Sequence, residues 1–315
     1  MHIAVVSLGA FGHINPTLSV VTELVRRGVR VTYFTTENFR SIVEPTGADF
    51  VPVKSWMEGN DKHNEDKKDD QPEENVAAVV PFLFLNEAGS YIDDILAALE
   101  KDKPDAIMHD FAGIAGTMAA DVLKVPNIMI YTSYPSNESY SVAESFESTP
   151  ADHPLRIAAA QIAQSYAEKY GCRNMTVKEI FDGQGDLNLV MMQKRLVPNN
   201  ESFGDNFVFT GVQIGKRTAF GSWKAPNNGK PLLYSSLGTA FNNWPEYYPI
   251  LFDAVRDLDI NVFAALGAID PASLKDIPAN VEVAQMVPQL DILSQASVFI
   301  THAGMGGTGE AIYYG

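Results

Sequence analysis

Short apolar, β-branched runs alternate along this chain with stretches whose apolar residues recur at helical spacing, and few folds accommodate that alternation. Residues 2–8 read as a buried strand closed by Gly9. Leu18, Val21, Leu24 and Val25 then mark a helix over residues 16–27, capped by Gly28. The pattern repeats with strands at 29–35, 106–109 and 127–132 and helices at 40–45, 92–100 and 113–123. A longer helical region of mixed Ala, Ser and aromatic residues is expected over 138–167. Strands that feed helices which feed further strands must lie parallel, so an α/β, doubly wound sheet covered on both faces is expected.

The alternation restarts after residues 218–230, a run rich in Gly, Pro and Asn that reads as an interdomain linker. The expected organisation is therefore a first domain at 1–217, the linker at 218–230 and a second domain at 231–315. A chain of 315 residues fits two domains at roughly 150 residues each. In the second, strands are expected at 231–237, 261–266, 281–285 and 298–301, and a last helix opens near Gly306. Residues 58–74 interrupt the first domain with eight acidic and three basic residues. They read as a solvated loop, with a lid over a binding mouth as the functional alternative.

With 23 basic against 39 acidic residues the net charge is −16, which disfavours nucleic acid and anionic lipid as partners. No apolar run approaches the ~18 residues of a membrane span. One cysteine, Cys172, leaves no internal disulfide and no multi-cysteine metal site. The first residues lack a basic, signal-like start, so a cytoplasmic setting is expected.

Ligands of open α/β sheets bind at the carboxyl ends of strands, and two polar turns fall there. The first, Gly9-Ala10-Phe11-Gly12-His13-Ile14-Asn15-Pro16, lacks the G-x-G-x-x-G dinucleotide fingerprint, so Glu37 after the second strand is weak support for NAD. The turn presents His13 at a helix start. Imidazole can take a proton from a hydroxyl near neutral pH, though a turn-capping role fits the position equally. Asp110, on the same sheet edge, would fix the tautomer of such a base, or cap the next helix, or both. His109 beside it should point into or across the sheet.

The second turn, Thr301-His302-Ala303-Gly304-Met305-Gly306-Gly307-Thr308-Gly309-Glu310, joins a strand end to a helix start. Its bare N–H groups suit a diphosphate; Gly306 and Gly307 allow close approach, and Thr308 and His302 add donors. It is not a Walker A motif. Ser236-Leu237-Gly238-Thr239 ends the first strand of the same domain and offers hydroxyls to the same anion. Asp257-Leu258-Asp259 spells D-x-D at a helix end and reads as solvated surface.

Taken together, Gly12-His13-Ile14-Asn15-Pro16-Thr17-Leu18, Asp110-Phe111, Ser236-Leu237-Gly238-Thr239-Ala240-Phe241-Asn242, Val287-Pro288-Gln289-Leu290 and His302-Ala303-Gly304 through Glu310 resemble bacterial macrolide-type UDP-glycosyltransferases of glycosyltransferase family 1. The resemblance spans essentially the whole chain. It implies a GT-B fold: two facing Rossmann-like domains, acceptor in the first and nucleotide sugar in the second. It implies His13 as general base with Asp110 its partner, and Ser236, Thr239, His302, Gly304, Gly306, Gly307 and Thr308 around the diphosphate. Met286, Val287 and Gln289 would hold the nucleobase, although the family often carries an aromatic at Met286, and Glu310 would bind the ribose. No metal or cofactor beyond the UDP-sugar is expected. The reaction implied is inverting transfer of a hexose, glucose by expectation, to a hydroxyl of a hydrophobic natural product such as a macrolide or flavonoid. Phe11, Phe82, Phe84 and Phe111 would line the acceptor cleft or simply pack the core.

Family chains continue past the position of Gly315 with an Asp/Glu-Gln pair for the sugar and a helix returning to the first domain. The second domain is therefore expected to be incomplete, with strand 298–301 at an apolar edge that promotes self-association. A non-catalytic binding module, or the accessory half of a split transferase, is the alternative to an enzyme.

Overall fold

The structure is a computed structural model that describes residues 1–60, 76–147, 149–215, 217, 220–239 and 244–315. It divides into two compact units, Met1–Gln213 and Ile214–Gly315.

The first unit runs β1 (His2–Val6), α1 (Phe11–Arg26), β2 (Arg30–Thr36), α2 (Arg40–Val43), β3 (Asp49–Val53), α3 (Trp56–Asn60), α4 (Val76–Lys101), β4 (Ala106–Asp110) and α5 (Ile114–Leu123). It continues with β5 (Asn127–Tyr131), α6 (Ala143–Glu147), α7 (Pro154–Tyr170), α8 (Val177–Asp182), β6 (Leu187–Val190) and β7 (Phe207–Phe209). The seven strands form one parallel sheet in the order β3-β2-β1-β4-β5-β6-β7. Every residue of β1 is buried, as a central strand covered on both faces requires. Ala4 and Val6 pack on one face with α4 and α5, and Ile3 and Val5 on the other with α1. On α1, Ile14, Thr17, Leu18 and Val21 are the buried stripe. Ile14 alone, at 0% exposure, contributes about 1.5–3 kcal/mol by burial.

Three expectations need correction here. α1 begins at Phe11, so Pro16 lies in its second turn and leaves the carbonyl of Gly12 without its helical partner. The expected helix over 138–167 is two helices, because Pro150 and Pro154 interrupt it and His153 Nδ1 accepts from Leu155 N–H to start α7. The helix expected at 92–100 is the end of the 26-residue α4, which tolerates Pro81. The acidic stretch 58–74 lies outside the described residues except for 58–60.

The second unit contains β8 (Leu232–Ser236), α9 (Tyr247–Val255), β9 (Asn261–Ala265), β10 (Val281–Ala284), α10 (Gln289–Leu293), β11 (Val298–Thr301) and α11 (Met305–Tyr314). Its four described strands are parallel in the order β10-β9-β8-β11. α9 covers one face, and α10, α11 and Trp223 the other. The expected boundary at 217/218 shifts to 213/214, because the segment read as a linker is bound to this unit. Trp223 packs edge-on against Phe263 at 5.2 Å, and its backbone N–H donates to Asp291. β11 lies at the sheet edge, with Val298 53% and Ile300 36% exposed. Among the described residues no helix is long and apolar enough to cross a membrane.

Candidate functional site

Each sheet reverses its winding once, between β1 and β4 in the first unit and between β8 and β11 in the second. Chains leaving two neighbouring strands in opposite directions part there and leave a crevice at their carboxyl ends. Both polar turns singled out in the sequence emerge at those two points.

In the first unit, Val6 of β1 pairs with His109 of β4, so the turn after β1 and the end of β4 meet. Asp110, the last residue of β4, is fully buried. Its Oδ1 lies 2.7 Å from His13 Nδ1 and accepts the Ala112 N–H at 2.9 Å, while Oδ2 accepts the Leu8 N–H at 2.9 Å. Burial pushes the carboxyl pKa up, but the His13 charge and hydrogen bond and the Leu8 N–H outweigh it and hold Asp110 below its ordinary range. An ionised carboxylate only accepts, so the proton of a neutral His13 sits on Nδ1 and the lone pair on Nε2. The His13 side chain is 18% exposed, and Phe111 packs 5.4 Å from its ring. Asp110 does not cap α5, whose N-cap Gly113 has no side-chain partner; Asp110 takes the Ala112 N–H instead. His109 is buried against Thr117 of α5 and Asn127 of β5: burial lowers its pKa, Nδ1 donates to the Asp110 carbonyl at 2.8 Å, and Nε2 lies 2.7 Å from Asn127 Oδ1 and 3.2 Å from the Thr117 hydroxyl. Phe84 packs on Phe111 at 6.4 Å and Phe82 on Trp56 at 6.1 Å, both leaning on the core, whereas Phe11 stacks edge-on with Phe39 on the opposite face of the sheet.

In the second unit, Ser236 of β8 pairs with Thr301 of β11, bringing 237–239 alongside 302–304. Ser236 is buried and its hydroxyl accepts the Gly238 N–H at 3.3 Å; Thr239 is exposed. The His302 ring lies against two glycines. A Cβ at Gly238, where φ is +82°, would fall 2.4 Å from His302 Cε1, and one at Gly304 2.5 Å from Nε2. Gly304 starts α11 with no side-chain cap and no acidic residue in the first turn, so the N–H groups there remain available to an anion. A Cβ at Gly306 would meet open space. Thr308 Oγ1 is shielded from solvent with no hydrogen-bond partner among the described residues.

Met286 is 40% exposed and Val287 packs on the core of this unit. Gln289 Oε1 accepts from the Tyr234 hydroxyl at 3.0 Å, and its Nε2 donates to Glu310 at 2.6 Å. Glu310 is buried and pairs with Arg217 at 2.6 Å, a partner that sequence reasoning missed because a lone arginine in a loop carries no periodic signal. Elsewhere Glu37 is held by Arg40, and Asp259 by Lys230, on the surface. Ala240, Phe241 and Asn242 lie outside the described residues. Among the described residues no three His, Cys, Asp or Glu side chains gather as a metal site requires.

Two parallel-sheet Rossmann-like units define the GT-B class of glycosyltransferase, and solved members superpose on the chain. The calicheamicin glycosyltransferase CalG4 matches with a TM-score of 0.80 at 30% identity, covering 99% of this chain and 77% of that one. The glycosyltransferase of kitacinnamycin matches with a TM-score of 0.82 at 29% identity, covering 99% and 78%. No family model matches the chain. Among curated relatives, the NDP-glycosyltransferase YjiC of Bacillus subtilis is 35% identical over 315 residues, which is all of this chain and 77% of YjiC. The oleandomycin glycosyltransferase of Streptomyces antibioticus is 30% identical over 318 residues, 99% of this chain and 72% of that protein. The chain belongs to the bacterial nucleotide-sugar glycosyltransferase family and is by family a transferase.

Proposed function

We propose that the protein is an inverting, UDP-sugar-dependent glycosyltransferase that moves a hexose, glucose, to a hydroxyl of a hydrophobic natural product of the macrolide or flavonoid kind. The carrying observation is the His13–Asp110 pair: Nδ1 is committed to a buried carboxylate at 2.7 Å, which leaves Nε2 as the base. His13 takes the acceptor proton as the acceptor oxygen bonds to the anomeric carbon. The bond from that carbon to the β-phosphate oxygen breaks with inversion, and Asp110 stabilises the imidazolium. The departing diphosphate is received by the N–H groups of Gly306 and Gly307, the Thr308 N–H being held by the Gly304 carbonyl at 3.0 Å, with Ser236, Thr239, Thr308 and His302 side chains and the Gly304 turn as further donors. Met286, Val287 and Gln289 hold the base, and Glu310 takes the ribose hydroxyls. These donors carry the leaving-group charge, so the proposal needs no metal or further cofactor. The name of the oleandomycin glycosyltransferase supports the acceptor class. We place the protein in the cytoplasm, whose reducing setting suits a chain with one cysteine.

The test is UDP release and product formation from UDP-glucose and a macrolide. His13→Ala should lower turnover by roughly 10²–10⁴-fold. Unchanged turnover rejects the base, and UDP binding without any turnover by the wild type replaces the enzyme with a binding module.

A further inference from the structure

The Glu310 side chain is 4% exposed, and a carboxylate that deep in protein needs its charge offset. Arg217 provides the offset: Nη2 lies 2.6 Å from Oε1, and the arginine side chain is itself only 16% exposed. The other carboxylate oxygen accepts from Gln289 Nε2 at 2.6 Å, and Gln289 Oε1 in turn accepts from the Tyr234 hydroxyl at 3.0 Å. The relay runs from the segment entering the second unit through α11 and α10 to β8. All four members belong to that unit.

The position of this relay creates an electrostatic problem. Glu310 follows the open N–H groups of α11 by about one turn, roughly 5.4 Å along the axis. A nucleoside diphosphate seated on those groups would feel the buried carboxylate as a like charge. At an effective dielectric near 20 and after partial screening, repulsion at that range weakens binding by about ten- to a hundredfold for each phosphate charge. A ribose-binding acid and a diphosphate site this close are compatible only if the acid is neutralised from behind. Arg217 is the residue that does so.

We infer that Arg217 is a positioning residue of the nucleotide site, which cancels the charge of Glu310 toward the diphosphate while holding its carboxylate for the ribose. The inference rests on the reading above that this unit takes a nucleoside diphosphate sugar. Affinity for the charged half of the nucleotide is thus set partly from outside the glycine-rich turn.

Calorimetric titration of UDP and of uridine into wild type, Arg217→Ala, Arg217→Lys and the double variant Arg217→Ala/Glu310→Gln tests it. Arg217→Ala should weaken UDP by at least about tenfold and uridine clearly less, because uridine has no phosphate to repel. Arg217→Lys should keep most of the UDP affinity. Removing the carboxylate charge in the double variant should recover part of the loss seen in Arg217→Ala. Equal losses for UDP and uridine would make Arg217 a structural prop and overturn the inference, as would unchanged UDP affinity. If Arg217→Ala does not fold, the double variant decides: a UDP-to-uridine affinity ratio equal to that of wild type supports charge cancellation, and a selective loss of UDP overturns it. Failure of the wild type to bind either UDP or dTDP overturns the functional reading itself, and the wild-type titration alone reveals that.

Discussion

Replacing Asp110 by asparagine separates the two things its carboxylate does. Oδ1 serves two donors, His13 Nδ1 and the Ala112 N–H, and Oδ2 one, the Leu8 N–H. A carboxamide set with its oxygen at the Oδ1 position loses one bond, and the reverse setting loses two. The first is favoured by about 1 kcal/mol or more, so the imidazole keeps its proton on Nδ1. Tautomer control survives, and what disappears is the negative charge beside the imidazolium. At about 4 Å and an effective dielectric near 20, that charge is worth roughly 2–4 kcal/mol after partial screening. The expected fall in kcat is therefore about 30- to 1,000-fold, with the KM for UDP-glucose unchanged. The unpaired Leu8 N–H costs a further 1–3 kcal/mol of stability, roughly, visible as a lower Tm. Initial rates of UDP release in wild type, Asp110→Asn, His13→Ala and the double variant give the full cycle. Adding Asp110→Asn to His13→Ala should change kcat by less than about threefold, since residues acting as one unit are not additive. The same factor lost with and without the imidazole would refute the coupling, as would wild-type kcat in the single variant.

Three other outcomes follow from the geometry. Asp110 is held below its ordinary pKa, so its stabilisation is fully present above about pH 4 and is lost as pH falls through the depressed value; urea midpoints should show the gap between wild type and Asp110→Asn closing below that pH, and a constant gap would contradict it. Gly238→Ala forces a side chain into φ +82° and against His302, so it should cost about 1–3 kcal/mol and weaken UDP binding, read by urea titration and calorimetry. Expressed as the isolated 315-residue polypeptide, Val298→Lys should scatter light less steeply with concentration than its parent, and a parent polypeptide that is a monodisperse monomer would deny that β11 associates in it.

The architecture was legible because β-α periodicity is written in side-chain order: β1, α1 and β4 carry their apolar residues at the spacing their burial demands. The strands β3, β6 and β7 escaped notice: β6 and β7 are four and three residues long with only part of each buried, and β3 carries Pro52 and buries only Val53 fully. His13 and Asp110 could be paired from the sequence because one follows β1 and the other ends β4, at the same edge of the sheet. The backbone clamps on Asp110 could not, since an N–H from Leu8 or Ala112 has no residue-type signature. Likewise Glu310 could be read as an acid near a helix start, but its arginine lies 93 positions away in the chain, in a stretch without period.

The division at Gln213 has a practical meaning for anyone recombining this gene with a relative's. A crossover there would inherit the His13–Asp110 pair from one parent and the glycine-rich turn, with Arg217 still matched to its own Glu310, from the other. A crossover only a few codons later, after position 217, would give the acid a stranger's counter-ion. Hybrids made at the two junctions would share nearly every residue and still differ in whether the buried Glu310 meets the arginine it was matched with.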